Sequence, residues 1–430
     1  MLINFLVYPI LACIAIFCTC GRTGGPDSSD RGLILSALPS SVRLDPVSGK
    51  IIENRPDIYE MRTLDGLLQQ NWIFSHDTVR LHAARGEYVS FQIVIGSPDG
   101  AAHKDIYAGM FPFACGGNPL AAGPPELFLE WSVELRGKSS GYEKSSYGPG
   151  WYPDALIPLD CLDTDPEFNG RIWYPLNLPD FRNRIPGQRY QIIWVDQFVP
   201  VDSQSAPPGV YRSEIAVRSG ESMRSLAVEL TVHDCAIPNG NRLWGNLQHE
   251  GFLSRMDEKA ELELYQLFKK HRVTLADNGY RPDLTVTPSG KVEIDWARFD
   301  KRLKKYFTGE AFTAAYGYSG PGYGEPWEEF LLPFDCWREH EGRQHAGWPD
   351  AGTAAEEREP GKQALYVDAI RQVREHLLSM TDPGKTHLIV FQAGLDESYF
   401  PEAWERMVYY GGLFKKHFPE SKYRVDGGYS

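Results

Sequence analysis

The chain has 430 residues, 23% of them charged and 13% aromatic, a globular composition with room for two or three domains. Its 57 acidic residues against 44 basic ones give a formal net charge of -13. That balance, with no concentrated positive patch, excludes nucleic acid as a partner, because neutralising phosphates needs clustered Lys and Arg.

Leu2 to Phe17 form one apolar run, LINFLVYPILACIAIF. It is short for a membrane span and reads as a signal peptide. Cys18-Thr19-Cys20-Gly21-Arg22 and the polar stretch GGPDSSD follow. An apolar run that ends in cysteine and a polar tether is similar to a bacterial lipoprotein signal. Phe17 and Thr19 stand where Leu and a small residue usually precede the lipidated cysteine. The expectation is an exported protein, periplasmic, cell-surface or secreted, with residues 1–20 as signal and 21–31 as tether. Membrane attachment would run only through an N-terminal lipid. Cys115, Cys161, Cys235 and Cys336 remain, with no C-x-x-C pair, so a zinc knuckle is not expected; a disulfide among them and isolated thiols are both open.

From about Gly32 to Pro238 the hydrophobic period is two. TVRLHAARGEYVSFQIVIGS, LFLEWSVEL, GQRYQIIWVDQFVP, GVYRSEIAVRS and SLAVELTVHD are separated by Gly, Pro, Asp and Ser, and Pro207-Pro208-Gly209 marks a turn. This predicts an antiparallel β-sandwich over 32–238 with no strong helix.

After Pro238-Asn239-Gly240 the pattern changes to short apolar strands alternating with helical periods. LWGNLQ, VTLAD, AFTAAYGYS, HLIVFQAGLDE and KYRVDGGYS read as strands. DEKAELELYQLFKKHR, DWARFDKRLKKYFTG, KQALYVDAIRQVREHLLSM and PEAWERMVYYGGLFKKHF read as helices, the first with acids early and bases late, as the helix dipole favours. A long insertion is expected over about 320–360. Only about 190 residues follow Pro238, against the roughly 250 of a complete eight-unit barrel. The expected class is therefore multidomain: a sandwich, then an incomplete TIM-like (β/α) barrel over 240–430.

The strand His387–Phe391 places Asp396 and Glu397 past its carboxyl end, the side where barrel active sites lie. The plain alternative is that Asp-Glu opens a helix, where acids are favoured. Other polar residues fall at predicted strand exits: Asn246, His249 and Glu250 after the first strand, Asn278, Tyr280 and Arg281 after the second, Tyr316 and Tyr318 at the third. The insertion carries Tyr323, Trp327, Trp337 and Trp348, and Trp337 and Trp348 are candidates for a sugar-stacking wall. Each has an ordinary reading as turn residue or packed rim. No compact metal-ligand spacing, phosphate loop or nucleophile elbow is present, so no metal or cofactor is expected.

RGEYVSFQIVI, WYPDALIPL, QIIWVDQFVPVDSQSAPPGVYRSEIAV and FQAGLDESYFPEAWERMVYYGGLFKKHFPESKYRV carry a resemblance to the glycoside hydrolase family 123-like proteins, bacterial exported proteins with a sandwich before a barrel. It covers nearly all of the mature chain and stops about three barrel strands short. The resemblance implies an N-acetylgalactosaminidase acting with retention and help from the substrate's own 2-acetamido group. It would make Glu397 the acid and Asp396 the carboxylate that orients the acetamido group. The usual Asp-Glu-Pro is here Asp396-Glu397-Ser398, which changes the loop but keeps both carboxylates. Two other readings stand beside it: a non-catalytic carbohydrate-binding or surface protein of the same fold, and an ordinary two-carboxylate glycosidase with its second acid elsewhere. In each, the partner is a glycan.

Overall fold

In a computed structural model, the structure describes residues 33–52, 63–137, 149–159, 176–241, 246–248, 256–276, 280–334, 358–392, 395 and 400–425. Contacts divide the chain into two compact units. One holds residues up to 82 with 89–197 and 209–231; the other holds 83–88, 198–208 and the chain from 232 onward.

The strands, in chain order, begin with β1 (Ile34–Pro39), β2 (Phe74–Ser75), β3 (Thr78–Arg85), β4 (Tyr88–Gly96), β5 (His103–Met110), β6 (Ala114–Cys115) and β7 (Asn118–Pro119). They continue with β8 (Glu126–Leu135), β9 (Gly150–Pro158), β10 (Leu176–Leu178), β11 (Tyr190–Phe198), β12 (Gly209–Ser219) and β13 (Ser222–Ala236). They form an antiparallel sandwich. One sheet runs β1-β4-β11-β8-β9; the other runs β10-β5-β12-β13-β3-β2, with the β6-β7 hairpin beside β12. The period of two is visible in β13, where Leu226, Val228, Leu230 and Val232 are buried. In β4 the burial is continuous: Phe91 to Ile95 are all fully buried, with the polar Gln92 among them. A strand covered on both faces needs that pattern. Its outer cover is a short helix, α1 (Leu64–Gln69), which the sequence did not announce. Thr63 caps it, its hydroxyl accepting from the Gly66 amide at 3.3 Å. Leu67 and Leu68 of α1 join Leu38, Val42, Leu44, Val94, Tyr190 and Ile192 in one cluster.

The second unit alternates strands and helices. β14 (Asn246–Gln248) pairs in parallel with β15 (Thr274–Ala276), and β18 (Glu329–Leu331), β19 (His387–Phe391) and β20 (Lys422–Arg424) form a parallel sheet. Between them lies an antiparallel hairpin, β16 (Asp283–Val286) with β17 (Val292–Asp295). The helices are α2 (Glu258–Lys270), α3 (Ala297–Phe307), α4 (Pro360–Met380) and α5 (Pro401–His417). Asp257 caps α2 by accepting from the Lys259 and Ala260 amides at 3.0 and 2.9 Å. The described strands close no barrel, so this unit is the incomplete TIM-like architecture that the sequence predicts.

One predicted strand is replaced. AFTAAYGYS is occupied by two 3-10 turns, Glu310–Phe312, which starts one residue before it, and Ala314–Tyr316, and the third parallel strand is Glu329–Leu331, inside the stretch read as an insertion. Gly309 and Gly317 sit at φ 79° and 77°, a conformation that breaks a strand. A Cβ on Gly309 would lie 2.3 Å from the Gly324 carbonyl oxygen, so backbone packs directly on backbone there. Trp327, just before β18, is buried and stacks on Tyr306 with centroids 4.5 Å apart. Its ring belongs to the core and not to a sugar-stacking wall.

Among the described residues, no helix is long and apolar enough to cross a membrane, and no group of His, Cys, Asp and Glu could hold a metal ion. Cys115 and Cys235 are free thiols.

Candidate active site at the carboxyl end of the parallel sheet

The parallel register sets which side chains share a face. Glu329 lies opposite His387, Leu331 opposite Ile389, Ile389 opposite Lys422, and Phe391 opposite Arg424. Alternation then separates two rows. Phe330, Leu388 and Val390 join the large cluster built with the helices, while Leu331, Ile389 and Phe391 form a small cluster of their own on the other face. That second row is the one that would face inward in a complete barrel.

At the amino end of this row the Lys422 ammonium lies 3.0 Å from Nδ1 of His387. Burial, and then the Lys422 charge, hold His387 below the usual imidazole range. At the carboxyl end the Arg424 guanidinium lies over the Phe391 ring, 5.1 Å from its centroid. Gln392 follows Phe391 and is buried. Its Oε1 accepts from the Tyr423 hydroxyl and its Nε2 lies 3.4 Å from the Tyr366 hydroxyl. The Leu395 amide donates to the Gln392 carbonyl at 2.9 Å, so the chain turns as it leaves the strand. The result is a braced strand exit: β19 ends on a buried amide held from α4 and β20, with a cation on the adjoining strand. A preorganised rim of this kind suits a site that must hold a reacting group in place.

Asp396 and Glu397 come next in sequence and lie outside the described residues, as do His249, Glu250, Asn278, Trp337 and Trp348. Asn246 opens β14, at the amino end of that strand and not beyond its exit. Arg281 is half-buried. Tyr280 is buried, and its hydroxyl donates to the Glu261 carboxylate. That carboxylate also accepts from the Tyr306 hydroxyl at 3.0 Å and from Arg302 Nε at 2.8 Å. Tyr280 therefore braces α2 against α3. Tyr316 and Tyr318 precede β18, so they lie on the connection that enters the strand, the end opposite a barrel's active face. Tyr316 is exposed, and the Tyr318 hydroxyl is spent on the Pro321 carbonyl at 2.5 Å.

Next to β18, Lys269 is buried with its ammonium 2.5 Å from Glu328 and 2.6 Å from the Pro326 carbonyl. Burial pulls its pKa down, against the pull of Glu328. This ion pair lies before the strand and holds α2 to the chain entering β18. The sequence reading missed Tyr366, Gln392, Tyr423 and Arg424. A signal for Gln392 and Arg424 was available: each is polar and stands at or just past the end of a predicted strand.

No family model matches the chain, and no curated protein is significantly similar to it. Among solved structures, a family 123 glycoside hydrolase from Clostridium perfringens, studied for hydrolysis of glycolipid glycans, superposes with a TM-score of 0.50 at 11% identity. The match covers 92% of this chain and 63% of the hydrolase. The fold is related to that of this hydrolase. This chain thus spans less than two thirds of the enzyme's length. The CooA pilin subunit of enterotoxigenic Escherichia coli matches 48% of this chain and 99% of its own at 10% identity and a TM-score of 0.19. A putative α-galactosidase from Bacteroides fragilis matches 54% of this chain and 47% of its own at 11% identity and a TM-score of 0.20. The last two superpositions are too loose to bear on the fold.

Proposed function

We propose that the protein is an exported glycoside hydrolase acting on terminal N-acetylhexosaminides at the carboxyl end of its parallel sheet. The observation that carries this reading is the fold relation to a glycan hydrolase over 92% of the chain. The braced exit of β19 adds to it, because Asp396 and Glu397 follow Leu395 directly in sequence. The apolar run Leu2 to Phe17 and its polar tether support export.

In this mechanism Glu397 donates a proton to the leaving glycosidic oxygen as that bond breaks. The carbonyl oxygen of the substrate's 2-acetamido group attacks the anomeric carbon and forms a cyclic intermediate. Asp396 holds the acetamido N–H and offsets the positive charge that develops there. Water, deprotonated by Glu397, then opens the ring with net retention. The acid must stay protonated near neutral pH, which a drier, closed pocket favours.

A second reading, a glycan-binding protein without turnover, is favoured by the open arrangement of the described parallel strands, which lie in separate two- and three-stranded sheets. Aryl and alkyl N-acetylgalactosaminides separate the two. The Glu397→Gln variant should lose about 10²–10⁴-fold on a poor leaving group and less on an activated aryl group. Asp396→Asn should stay damaging on both. Equal turnover of 2-acetamido and 2-hydroxy aryl glycosides would remove substrate assistance, and binding without turnover of either would establish the second reading.

A further inference from the structure

The sandwich carries a cleft that the hydrolase reading does not use. It has a volume of about 510 Å³, within the roughly 300–1,000 Å³ typical of small-ligand sites, and is open to solvent. Its walls come from three separated segments: the loop after β1, the facing ends of β8 and β9, and the loop before β11. Asp45, Ser48, Glu134, Arg136, Trp151 and Arg184 line it. We infer that this cleft is an accessory glycan-binding site, which seats the apolar face of a neutral pyranose on the Trp151 indole.

Trp151 lies directly opposite Glu134 in the β8-β9 register, so ring and carboxylate stand side by side on one face. Trp151 is half-buried, and no aromatic side chain packs on its ring among the described residues. A partly exposed, unstacked indole on a sheet is a flat apolar platform of pyranose width. Sugar hydroxyls need donors and acceptors around such a ring, and the cleft has both. The Asp45 side chain is held in place because its Oδ1 accepts from the Val47 and Ser48 amides at 2.9 and 2.8 Å. Its Oδ2 has no partner among the described residues and points toward Gly150, next to Trp151.

Across the cleft, Arg184 is exposed and forms no ion pair among the described residues. Its backbone is left-handed, φ 53°, a conformation unusual for an Arg. The turn that imposes it is tied down: Asp180 Oδ1 accepts from the Arg182 and Asn183 amides at 2.8 Å each, and its carbonyl accepts from Arg184. The guanidinium is thus carried on a fixed turn. Arg136 and Glu134 form their own pair at 2.9 Å. Among the described lining residues, two carboxylates and two guanidinium groups balance, which fits an uncharged sugar better than an acidic or a basic one.

The site is separate from the candidate active site in sequence and chemistry, so its test is independent of hydrolysis. The full chain is run in native gels containing galactomannan, gastric mucin or chondroitin sulfate. Galactomannan or mucin should retard it, and chondroitin sulfate should not do so more strongly. Trp151→Ala and Arg184→Ala should each weaken retardation roughly tenfold, with thermal melting unchanged. Trp72→Ala, which removes another exposed indole of the sandwich, and Glu397→Gln should leave it intact. The inference is overturned by no retardation in any gel, by retardation in chondroitin sulfate alone, by full retardation of both cleft variants, or by its loss in Glu397→Gln.

Discussion

Glu130 in the sandwich and Glu261 in the α/β unit are both buried carboxylates, 8% and 0% exposed, yet their surroundings differ. Glu261 lies among donors: the hydroxyls of Tyr280 and Tyr306 and the guanidinium of Arg302 all turn toward it. Glu130 has no hydrogen-bond partner for its carboxylate among the described residues, and it stands beside the β8-β9 irregularity between Glu130 and Ser132. Burial pushes its pKa up to about 7, and the opposing charge of Arg43 offsets only part of that. Burial sets the cost of a charge, and fixed partners decide whether the fold can carry it.

The largest test removes the partnered acid. Glu261→Ala leaves Arg302 and two tyrosine hydroxyls facing an empty place. It should cost roughly 3–5 kcal/mol in urea unfolding, as breaking one side of a buried ionic network does. A loss below about 1 kcal/mol would end the contrast between the two acids.

Glu130 should respond to pH in the opposite sense to a salt-bridged acid. Its native pKa is raised from 4.5 to about 7, so between those values the folded chain holds a proton that the unfolded chain has lost. Stability from this group is full below 4.5 and is lost as pH rises through 7. The difference between the limits is of order 3 kcal/mol. Glu130→Gln should therefore flatten the pH dependence and raise stability at pH 8, with little effect at pH 4. A variant that loses stability equally at both pH values would show that Glu130 is held as a charged group.

The smallest effect sharpens the comparison from the exposed side. Arg374 and Glu420 form a two-bond pair, Nε to Oε2 at 2.7 Å, with side chains 39% and 29% exposed. Arg374→Ala should cost less than about 1 kcal/mol, and less again in high salt. A cost matching that of Glu261→Ala would mean that geometry, and not burial, controls these pairs.

Much of the architecture was legible in local pattern. The change from a period of two to strand–helix alternation near Pro238 separated the sandwich from the α/β elements. All four long helices lie where the helical apolar periodicity puts them, and the first, Glu258–Lys270, also carries early acids and late bases. His387–Phe391 is the strand its apolar run predicts. The third strand was not legible. Ala311, Phe312 and Tyr318 are apolar and buried as a strand's would be, but the glycines at 309 and 317 turn the segment into two short helical turns. The true strand, Glu329–Leu331, is three residues long and begins with an acid, too little for a periodic signal.

The candidate site divides the same way. Asp396 and Glu397 could be proposed from sequence because an acid pair just past an apolar strand needs no knowledge of distant residues; both lie outside the described residues. The brace at Gln392 was not legible, since its partners stand 26 and 31 residues away, on α4 and β20. Glu261 reads in sequence as one more acid in the first turn of a helix, and its partners lie 19 to 45 residues on. The sandwich cleft depends in the same way on segments from Asp45 to Arg184. By itself the sequence determined the longer elements, because caps, turns and hydrophobic periods act between near neighbours. Tertiary structure alone decided which polar groups are buried, which of them find partners, and which ring is left open to a ligand, because those outcomes depend on side chains that meet only after the chain has folded.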